Sequence, residues 1–348
     1  MTATPIAEGA HGGNLDWAAR EFGGQATDWL DLSTGINPWP YAFDPPPAAD
    51  WARLPGEAGL SRLRRAAARY YGAGPSASVV PAPGSQALIQ QLPGLRPGAR
   101  VAIVGRLSYS EHATSWRNAG NDVATGLTLA EAVASADVVV VTNPNNPDAG
   151  TCAADELRAA HRELARRGGL LVVDEAFADV VPGQSVAGDA GVNGLVVLKS
   201  FGKFFGLAGL RLGFALTSGT DRAQLERAVG PWPVSGPALS IGCQALADSA
   251  WQQSTRTRLD GAMTSFAAAL KAATAGEPDI RVVGKTPLFL LLEHADAEAI
   301  WRTAAHQHIL LRRFAERPTW LRIGVPPDPD CEQRLVGLLT ERPSTTAC

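Results

Sequence analysis

Residues 200–213 read Ser-Phe-Gly-Lys-Phe-Phe-Gly-Leu-Ala-Gly-Leu-Arg-Leu-Gly. The lysine in this glycine-rich segment, Lys203, stands three residues after Ser200 and eight before Arg211. A lysine amine can form a Schiff base with an aldehyde, while a serine hydroxyl and a guanidinium can bind a phosphate. The segment therefore indicates a cofactor that carries both an aldehyde and a phosphate. A glycine-rich surface turn with a solvated lysine is the alternative.

The same segment resembles the Schiff-base loop of the aspartate-aminotransferase superfamily, whose members use pyridoxal 5'-phosphate (PLP). The resemblance implies an α/β protein of the PLP-dependent transferase fold type I, with a large, mostly parallel sheet domain and a smaller C-terminal α+β domain. It also implies that Lys203 binds the aldehyde of PLP as the catalytic lysine. Ser200 and Arg211 would then bind the phosphate.

Two apolar runs end in polar residues that fit the same cofactor. Residues 138–141 are four valines that lead into an Asn-Pro-rich turn, and residues 170–173 lead into Asp174. Ligands of open α/β sheets bind at the carboxyl ends of the strands. By resemblance, Asn146 hydrogen-bonds the ring hydroxyl of PLP, and Asp174 keeps the pyridine nitrogen protonated. Taken singly, a structural turn and a helix N-cap are the alternatives.

The sequence departs from the superfamily pattern at three places. Residues 148–150 read Asp-Ala-Gly where Thr-Gly is usual, Phe177 replaces a tyrosine, and Leu54 replaces a tyrosine that reaches the phosphate across the dimer. We expect Phe177 to cost one hydrogen bond to the ring hydroxyl. Leu54 cannot contact a phosphate, so that contact is lost or supplied elsewhere.

Two further segments complete the predicted cofactor site. Gly84, Ser85 and Gln86 form a turn at the start of a predicted helix, where backbone N–H groups bind phosphate well. The resemblance assigns this turn to the PLP phosphate, and an ordinary N-cap serine is the alternative. Tyr109 matches the aromatic residue that stacks on the PLP ring. A buried core tyrosine is the alternative there.

An arginine inside an apolar strand is the first candidate for binding a substrate. Residues 320–324 read Trp-Leu-Arg-Ile-Gly, and a charge in such a strand, here that of Arg322, needs a partner or a ligand. In relatives the matching arginine binds the α-carboxylate of an amino acid in a forked pair. A structural salt bridge is the alternative.

Two N-terminal motifs narrow the resemblance. Residues 11–14 read His-Gly-Gly-Asn and residues 31–38 read Asp-Leu-Ser-Thr-Gly-Ile-Asn-Pro. Together they resemble the threonine-phosphate decarboxylases of cobalamin biosynthesis. The implied reaction converts L-threonine O-3-phosphate to (R)-1-aminopropan-2-ol O-2-phosphate. A histidinol-phosphate-type aminotransferase remains an alternative, since it differs only in the orientation of the bonds at Cα. A non-catalytic binding protein with the PLP fold is a further one.

A phosphorylated amino acid has two anionic groups and needs two clusters of donors beyond those that hold PLP. Arg322 could bind one group. The other could be bound by residues of the N-terminal motifs together with one of two neighbouring arginines, which gives His11, Ser33, Asn37, and Arg312 or Arg313 as candidates. Ser33 and Asn37 could equally be turn residues.

Composition excludes several other classes of protein. The chain has 348 residues, a net charge of −3 and no run of basic residues, so nucleic-acid binding is not indicated. The four cysteines are widely spaced, which indicates neither a metal site nor a disulfide framework. No apolar run approaches about 18 residues, and no secretory signal is evident, so we expect a cytoplasmic protein that spans no membrane. The resemblance implies a homodimer.

Patterning along the chain predicts its organisation. We expect an N-terminal arm over residues 1–30, a large PLP-binding domain over 31–235, and a linking helix with a small C-terminal domain over 236–348. Apolar strands alternate with helices over 79–230, which predicts a mostly parallel sheet. Residues 238–275 predict one or two long helices.

Overall fold

A computed structural model gives the fold over residues 12–275 and 280–340. The contacts divide the chain into two compact units, Trp39–Ser254 and a unit that joins Met1–Pro38 with Thr255–Cys348. The predicted domain limits after residues 30 and 235 stay a prediction. The contacts include residues 31–38 in the smaller unit, where the strand Leu30–Asp31 pairs in parallel with Ile309–Leu310.

The strands carry alternating or continuous apolar residues, as expected for half-buried and fully buried strands. In chain order they are β1 (Leu30–Asp31), β2 (Ser78–Ala82), β3 (Arg100–Val104), β4 (Asp122–Leu127), β5 (Val138–Thr142), β6 (Leu170–Asp174), β7 (Leu195–Ser200), β8 (Gly213–Thr217), β9 (Ile280–Thr286), β10 (Phe289–His294), β11 (Ile309–Leu310), β12 (Arg312–Phe314) and β13 (Arg317–Gly324).

The helices connect these strands. They are α1 (Leu15–Phe22), α2 (Ala48–Ala52), α3 (Glu57–Tyr70), α4 (Ser85–Gln91), α5 (Ser110–Asn118), α6 (Leu129–Ser135), α7 (Ala154–Arg166), α8 (Phe201–Phe204), α9 (Gly219–Val229), α10 (Gly236–Ala247), α11 (Ser249–Ala273), α12 (Ala297–His306) and α13 (Pro329–Thr340). Helices α10 and α11 confirm the prediction for residues 238–275. None of the helices described is long and apolar enough to cross a membrane.

A seven-stranded sheet forms the centre of the larger unit. Its strand order is β2-β8-β7-β6-β5-β3-β4, and β8 alone runs antiparallel to its two neighbours among these described strands. The four valines of β5 are buried between β3 and β6, because helices cover both faces of a parallel sheet. The predicted mostly parallel sheet, with the valine run as a central strand, is therefore confirmed.

The smaller unit is built around an antiparallel sheet of strand order β12-β13-β10-β9. Buried leucines of β10 and the apolar residues of β13 form its core, together with Trp301 and Ala304 of α12. The prediction of a smaller α+β domain after the large sheet is confirmed. This sheet also fixes the position of Arg322, which lies in β13.

Candidate active site

The predicted cofactor residues gather at one edge of the large sheet. The carboxyl ends of β2, β3, β5, β6 and β7 meet there with the amino end of β8, because β8 is antiparallel to both neighbours. The candidates that follow these strand ends, or precede β8, are Gly84, Ser85, Gln86, Tyr109, Asn146, Asp174, Ser200 and Arg211. Such an edge is where ligands of open α/β sheets bind.

Two glycines let the predicted phosphate-binding groups approach each other. A Cβ atom on Gly84, whose φ is 82°, would lie 2.7 Å from an Arg211 guanidinium nitrogen. A Cβ atom on Gly213 would lie 2.3 Å from the backbone nitrogen of Ser85. Ser200 is the cross-strand partner of Gly213. The structure thus brings together a guanidinium, a backbone N–H and a serine in a cradle that a side chain would fill, and this donor set suits a phosphate.

Asp174 is buried at the end of β6 and is held by hydrogen bonds. Its Oδ2 lies 2.8 Å from Nε2 of His112, and its Oδ1 accepts from the Ala176 N–H at 3.1 Å. His112 is fully buried, and among the residues described its Nδ1 has no partner. Sequence reasoning missed His112. The available signal was its spacing, since it lies three residues after Tyr109 on the first turn of α5.

Tyr109 and Gln86 contact each other. The Tyr109 hydroxyl donates to Oε1 of Gln86 at 3.0 Å, and Nε2 of Gln86 donates to Oε2 of Glu111 at 2.8 Å. The Tyr109 and His112 rings meet edge to face, with centroids 6.1 Å apart. These contacts hold the Tyr109 ring beside His112, the hydrogen-bond partner of Asp174.

The unusual residues 148–150 close the turn that carries Asn146. The Asp148 carboxylate accepts from Nδ2 of Asn145 at 2.8 Å and from the Gly150 N–H at 3.0 Å. The Asn145 N–H donates in turn to the Gly150 carbonyl at 2.7 Å, and Ala149 adopts a φ of 59°. Asn146, which directly follows Asn145, is half-buried. The departure from the superfamily pattern is thus accommodated by a carboxylate that the usual Thr-Gly lacks.

Lys203 lies on the short helix α8 and is half-buried. Its Nζ is 5.6 Å from the ring centroid of Phe177, the residue that stands in place of a tyrosine. The neighbouring rings of Phe201 and Phe205 stack with centroids 4.3 Å apart and are fully buried. A Cβ atom on Gly202 would lie 2.7 Å from the backbone of the following turn. Aromatic packing and glycine together fix the segment that presents the lysine.

Two of the three arginines predicted to bind the substrate share one face of the smaller sheet. Arg312 and Arg322 are direct cross-strand partners in β12 and β13, so their side chains point to the same face. Arg322 is 5% exposed, donates to the Ser33 carbonyl at 2.5 Å and lies 5.2 Å from the ring centroid of Phe289. Arg313 instead binds both carboxylate oxygens of Glu298, at 2.7 and 2.9 Å. The two neighbouring arginines therefore differ in their contacts, since Arg312 lies opposite Arg322 and Arg313 is bound to Glu298.

The N-terminal motifs meet within the smaller unit. The Ser33 hydroxyl donates to Asp31 at 2.6 Å and accepts from the Gly13 N–H at 2.8 Å. A small pocket is lined by Gly12, Asn14 and Ser33 together with Arg312 and Arg313. Asp31, which sequence reasoning missed, organises this corner.

Two further residues were predicted to bind the substrate, Asn37 and His11. Asn37 is 2% exposed. His11 lies outside the residues that the structure describes.

The match to known proteins extends along most of the chain. The model of the aminotransferase class I and II family matches residues 48–336. The chain belongs to this family. The predicted fold, α/β of the PLP-dependent fold type I, is thereby confirmed.

Within the aminotransferase class I and II family, two relatives are similar over nearly their whole length. A threonine-phosphate decarboxylase of a Sinorhizobium species is 42% identical over 331 residues, which cover 94% of this chain and 97% of that protein. A threonine-phosphate decarboxylase of Pseudomonas aeruginosa is 43% identical over 330 residues, which cover 93% and 95%. A solved structure, histidinol-phosphate aminotransferase from Sinorhizobium meliloti with pyridoxal-5'-phosphate, superposes with a TM-score of 0.75 at 20% identity, covering 97% of this chain and 96% of that chain.

Proposed function

We propose that this protein is a PLP-dependent threonine-phosphate decarboxylase. It would convert L-threonine O-3-phosphate to (R)-1-aminopropan-2-ol O-2-phosphate and CO₂, as a step of cobalamin biosynthesis. The observation that carries this proposal is the similarity, over more than nine tenths of the chain, to two proteins of that name. The geometry of each unit supports it independently.

The cofactor would be held by the edge of the large sheet. Arg211, Ser200 and the N–H of Ser85 suit its phosphate, Asp174 suits its ring nitrogen, and Tyr109 suits a face of its ring. Gly84 and Gln86 would border the phosphate as well, and Asn146 would hydrogen-bond the ring hydroxyl. When bound, PLP supplies a sink for the electrons of the bond that breaks at Cα. Two observations support this fit. The cradle at Gly84 and Gly213 suits the phosphate end of PLP, and the buried Asp174 carboxylate suits the ring nitrogen at its other end.

The substrate would be held by the arginines of the smaller sheet. Two cations directly opposite each other on one sheet face repel, and a molecule with both a carboxylate and a phosphate would stabilise the pair. We assign the carboxylate to Arg322 and the phosphate to Arg312. Arg313 is already bound to Glu298 and stacked on Trp301, at 4.0 Å from the ring centroid. Ser33, which lines a small pocket with Arg312, would complete the phosphate site, and His11 and Asn37 stay candidates for it.

Lys203 would carry the proton that the reaction needs. The bond between Cα and the carboxylate breaks, CO₂ leaves, and Nζ of Lys203 returns a proton to Cα. The bond at Cα that stands perpendicular to the cofactor ring is the one that breaks, since its electrons can then enter the ring. The apolar ring of Phe177 lies 5.6 Å from the Lys203 amine, measured to the ring centroid.

Assembly and location complete the proposal. Large apolar side chains are exposed on the larger unit, with Trp51 71%, Leu54 67% and Trp232 56% accessible, and these support a homodimer. Sedimentation of Trp51→Glu against the parent tests this, since loss of the dimer is expected.

The thiols of Cys152 and Cys243 are unpaired, which supports a cytoplasmic location. Cell fractionation tests that assignment.

Product analysis tests the proposed reaction. The purified protein is supplied with PLP and L-threonine O-3-phosphate, and the phosphorylated product is identified by mass spectrometry. We expect 1-aminopropan-2-ol phosphate from the parent and none from Lys203→Ala. A product that retains the carboxylate and appears only with added 2-oxo acid would assign transamination instead.

A further inference from the structure

Lys199 is a second buried lysine on the strand that leads to Lys203. It lies in β7 and is 2% exposed. Its Nζ donates to the Glu175 carboxylate and to the Ser185 hydroxyl, the latter at 3.2 Å, and lies 4.9 Å from the ring centroid of Tyr71. An ammonium group buried this deeply has to be paired, and here it is paired with a carboxylate.

Glu175 is as well enclosed as its partner. It is 1% exposed, and its Oε1 accepts from the Val186 N–H at 2.8 Å. Its Oε2 accepts from the Ser185 hydroxyl at 2.5 Å as well as from Lys199. The Ser185 oxygen accepts in turn from the Ala187 N–H at 3.1 Å. Both carboxylate oxygens are thus satisfied, so the pair is held in one geometry.

The pair links the two segments that carry the main cofactor candidates. Glu175 directly follows Asp174, and its N–H donates to the Leu198 carbonyl at 3.0 Å. Lys199 directly precedes Ser200. Two residues beyond Glu175, the Phe177 ring lies 5.6 Å from Nζ of Lys203. The ion pair therefore ties the turn that bears Asp174 to the strand end from which the Lys203 segment begins.

Stability alone does not account for a buried ion pair. Replacing such a pair by apolar side chains of similar volume often leaves a protein as stable or makes it more so, because two charges no longer have to be desolvated. An apolar pair lacks the preferred distances and angles of hydrogen bonds. A hydrogen-bonded ammonium and carboxylate fix the relative position of two strand ends within a few tenths of an ångström, whereas methyl groups tolerate sliding.

We propose that Lys199 and Glu175 are positioning residues that set the spacing between Asp174 and Lys203. They would hold the carboxylate for the ring nitrogen and the amine for the aldehyde at the separation that one PLP molecule requires. Neither side chain would touch the cofactor. The role given to the pair rests on the proposed functions of Asp174 and Lys203.

The test compares single and double variants of the full chain. Lys199→Met leaves the buried Glu175 carboxylate without its cation, and Glu175→Gln leaves the buried Lys199 ammonium without its anion. We expect each variant to lower the urea midpoint of the apoprotein. The double variant Lys199→Met/Glu175→Gln has no buried charge at these two positions and should return towards the parent midpoint. We nevertheless expect its Kd for PLP to stay at least about tenfold above that of the parent. The visible absorption band of bound PLP should change as well.

A matched control separates stability from position. Asp221, a buried carboxylate paired with Arg96 at 2.8 Å, joins α9 to the segment after α4. Asp221→Asn should lower the urea midpoint without changing the PLP Kd or the absorption band. Ser185→Ala removes only the bridging hydroxyl and keeps both charges. It should raise the PLP Kd several-fold even if the double variant does not fold.

The outcomes are distinct. A folded double variant, or Ser185→Ala, whose PLP Kd and visible band match those of the parent would overturn the positioning role and leave the pair merely structural. Lys199→Arg, which keeps a cation at this position, should retain more PLP affinity than Lys199→Met. A parent chain that shows no visible PLP band would instead overturn the proposed function itself.

Discussion

Nε2 of His112 lies 2.8 Å from Oδ2 of Asp174, and both side chains are buried. The same helix start that supplies His112 also supplies Tyr109, so one turn of α5 provides the aromatic ring and the partner of the carboxylate. The strand end at Asp174 and the start of α5 are therefore coupled by a hydrogen bond between two buried side chains. A carboxylate held in this way keeps a fixed orientation towards a ring nitrogen.

His112→Phe tests this contact. A hydrogen bond to a charged group contributes about 1.5–3 kcal/mol, so we expect the Kd for PLP to rise roughly ten- to hundredfold. Fluorescence titration of the apoprotein with PLP measures it. His161, on α7, bonds a backbone carbonyl at the protein surface, and His161→Phe should leave the Kd unchanged. Equal affinities of the parent and His112→Phe would contradict the role given to this bond.

Arg312 and Arg313 should differ sharply in their effect on the substrate. Lysine cannot form the forked pair that a guanidinium forms with a phosphate, so Arg312→Lys should raise the KM for L-threonine phosphate about tenfold or more. Arg313 is bound to Glu298, and Arg313→Lys should change KM by no more than about twofold, as for an exposed pair. Steady-state kinetics of the two variants decides the matter. The reverse order would show that the substrate phosphate is bound on the Arg313 side.

Gly213→Ala should disrupt the phosphate cradle. The added methyl group would lie 2.3 Å from the backbone nitrogen of Ser85, which forces the backbone to move. Overpacking of this kind costs about 1–3 kcal/mol, and we expect a lower free energy of unfolding together with weaker PLP binding. Gly209, in the same segment, has open space at its Cβ position. Gly209→Ala is the control, and a variant at Gly213 that behaves like it would refute the close approach.

Asp137 should confer a pH-dependent share of stability. Hydrogen bonds from the Arg100 side chain and N–H lower the pKa of Asp137 from 3.8 to about 2. The ionised form is therefore favoured in the folded state, so the stabilisation is complete above pH 3.8 and is lost as the pH falls towards 2. Because the side chain is 46% exposed, Asp137→Asn should cost only roughly 0.2–1 kcal/mol at neutral pH.

Urea unfolding of the parent and Asp137→Asn across this pH range measures the difference. The gap between the two should close near pH 2. Glu163→Gln removes an exposed pair with Arg166 and serves as the control. A gap that persists unchanged at pH 2 would contradict the shift.

Local patterns were enough to predict the positions of Asp174 and Lys203. Each stands where an apolar strand ends, and strand ends of a parallel sheet meet at one edge whatever the details of packing. His112, Asp31 and Lys199 were not predicted as functional. The partners of His112 and Lys199 lie 62 and 24 residues away in the sequence, and only the folded sheet brings them near. Asp31 differs, because its partner Ser33 is two residues away, and such a local contact is typical of Asp in turns.

The choice between Arg312 and Arg313 shows a second limit of sequence. Strand alternation places neighbouring residues on opposite faces, but β12 has three residues and its pairing with β13 shifts after Arg313. Only the observed register shows that Arg312 shares a face with Arg322. The unit that joins residues before Pro38 to the C-terminal segment likewise depends on the pairing of β1 with β11.

Release of CO₂ from L-threonine O-3-phosphate tests the central proposal most directly. The PLP-loaded protein is incubated with this substrate in the absence of any 2-oxo acid, and CO₂ is counted per active site. We expect many CO₂ molecules per site from the parent and none from Lys203→Ala. A parent that releases no CO₂, yet transfers the amino group to an added 2-oxo acid, would show that the same fold and the same two arginines serve an aminotransferase.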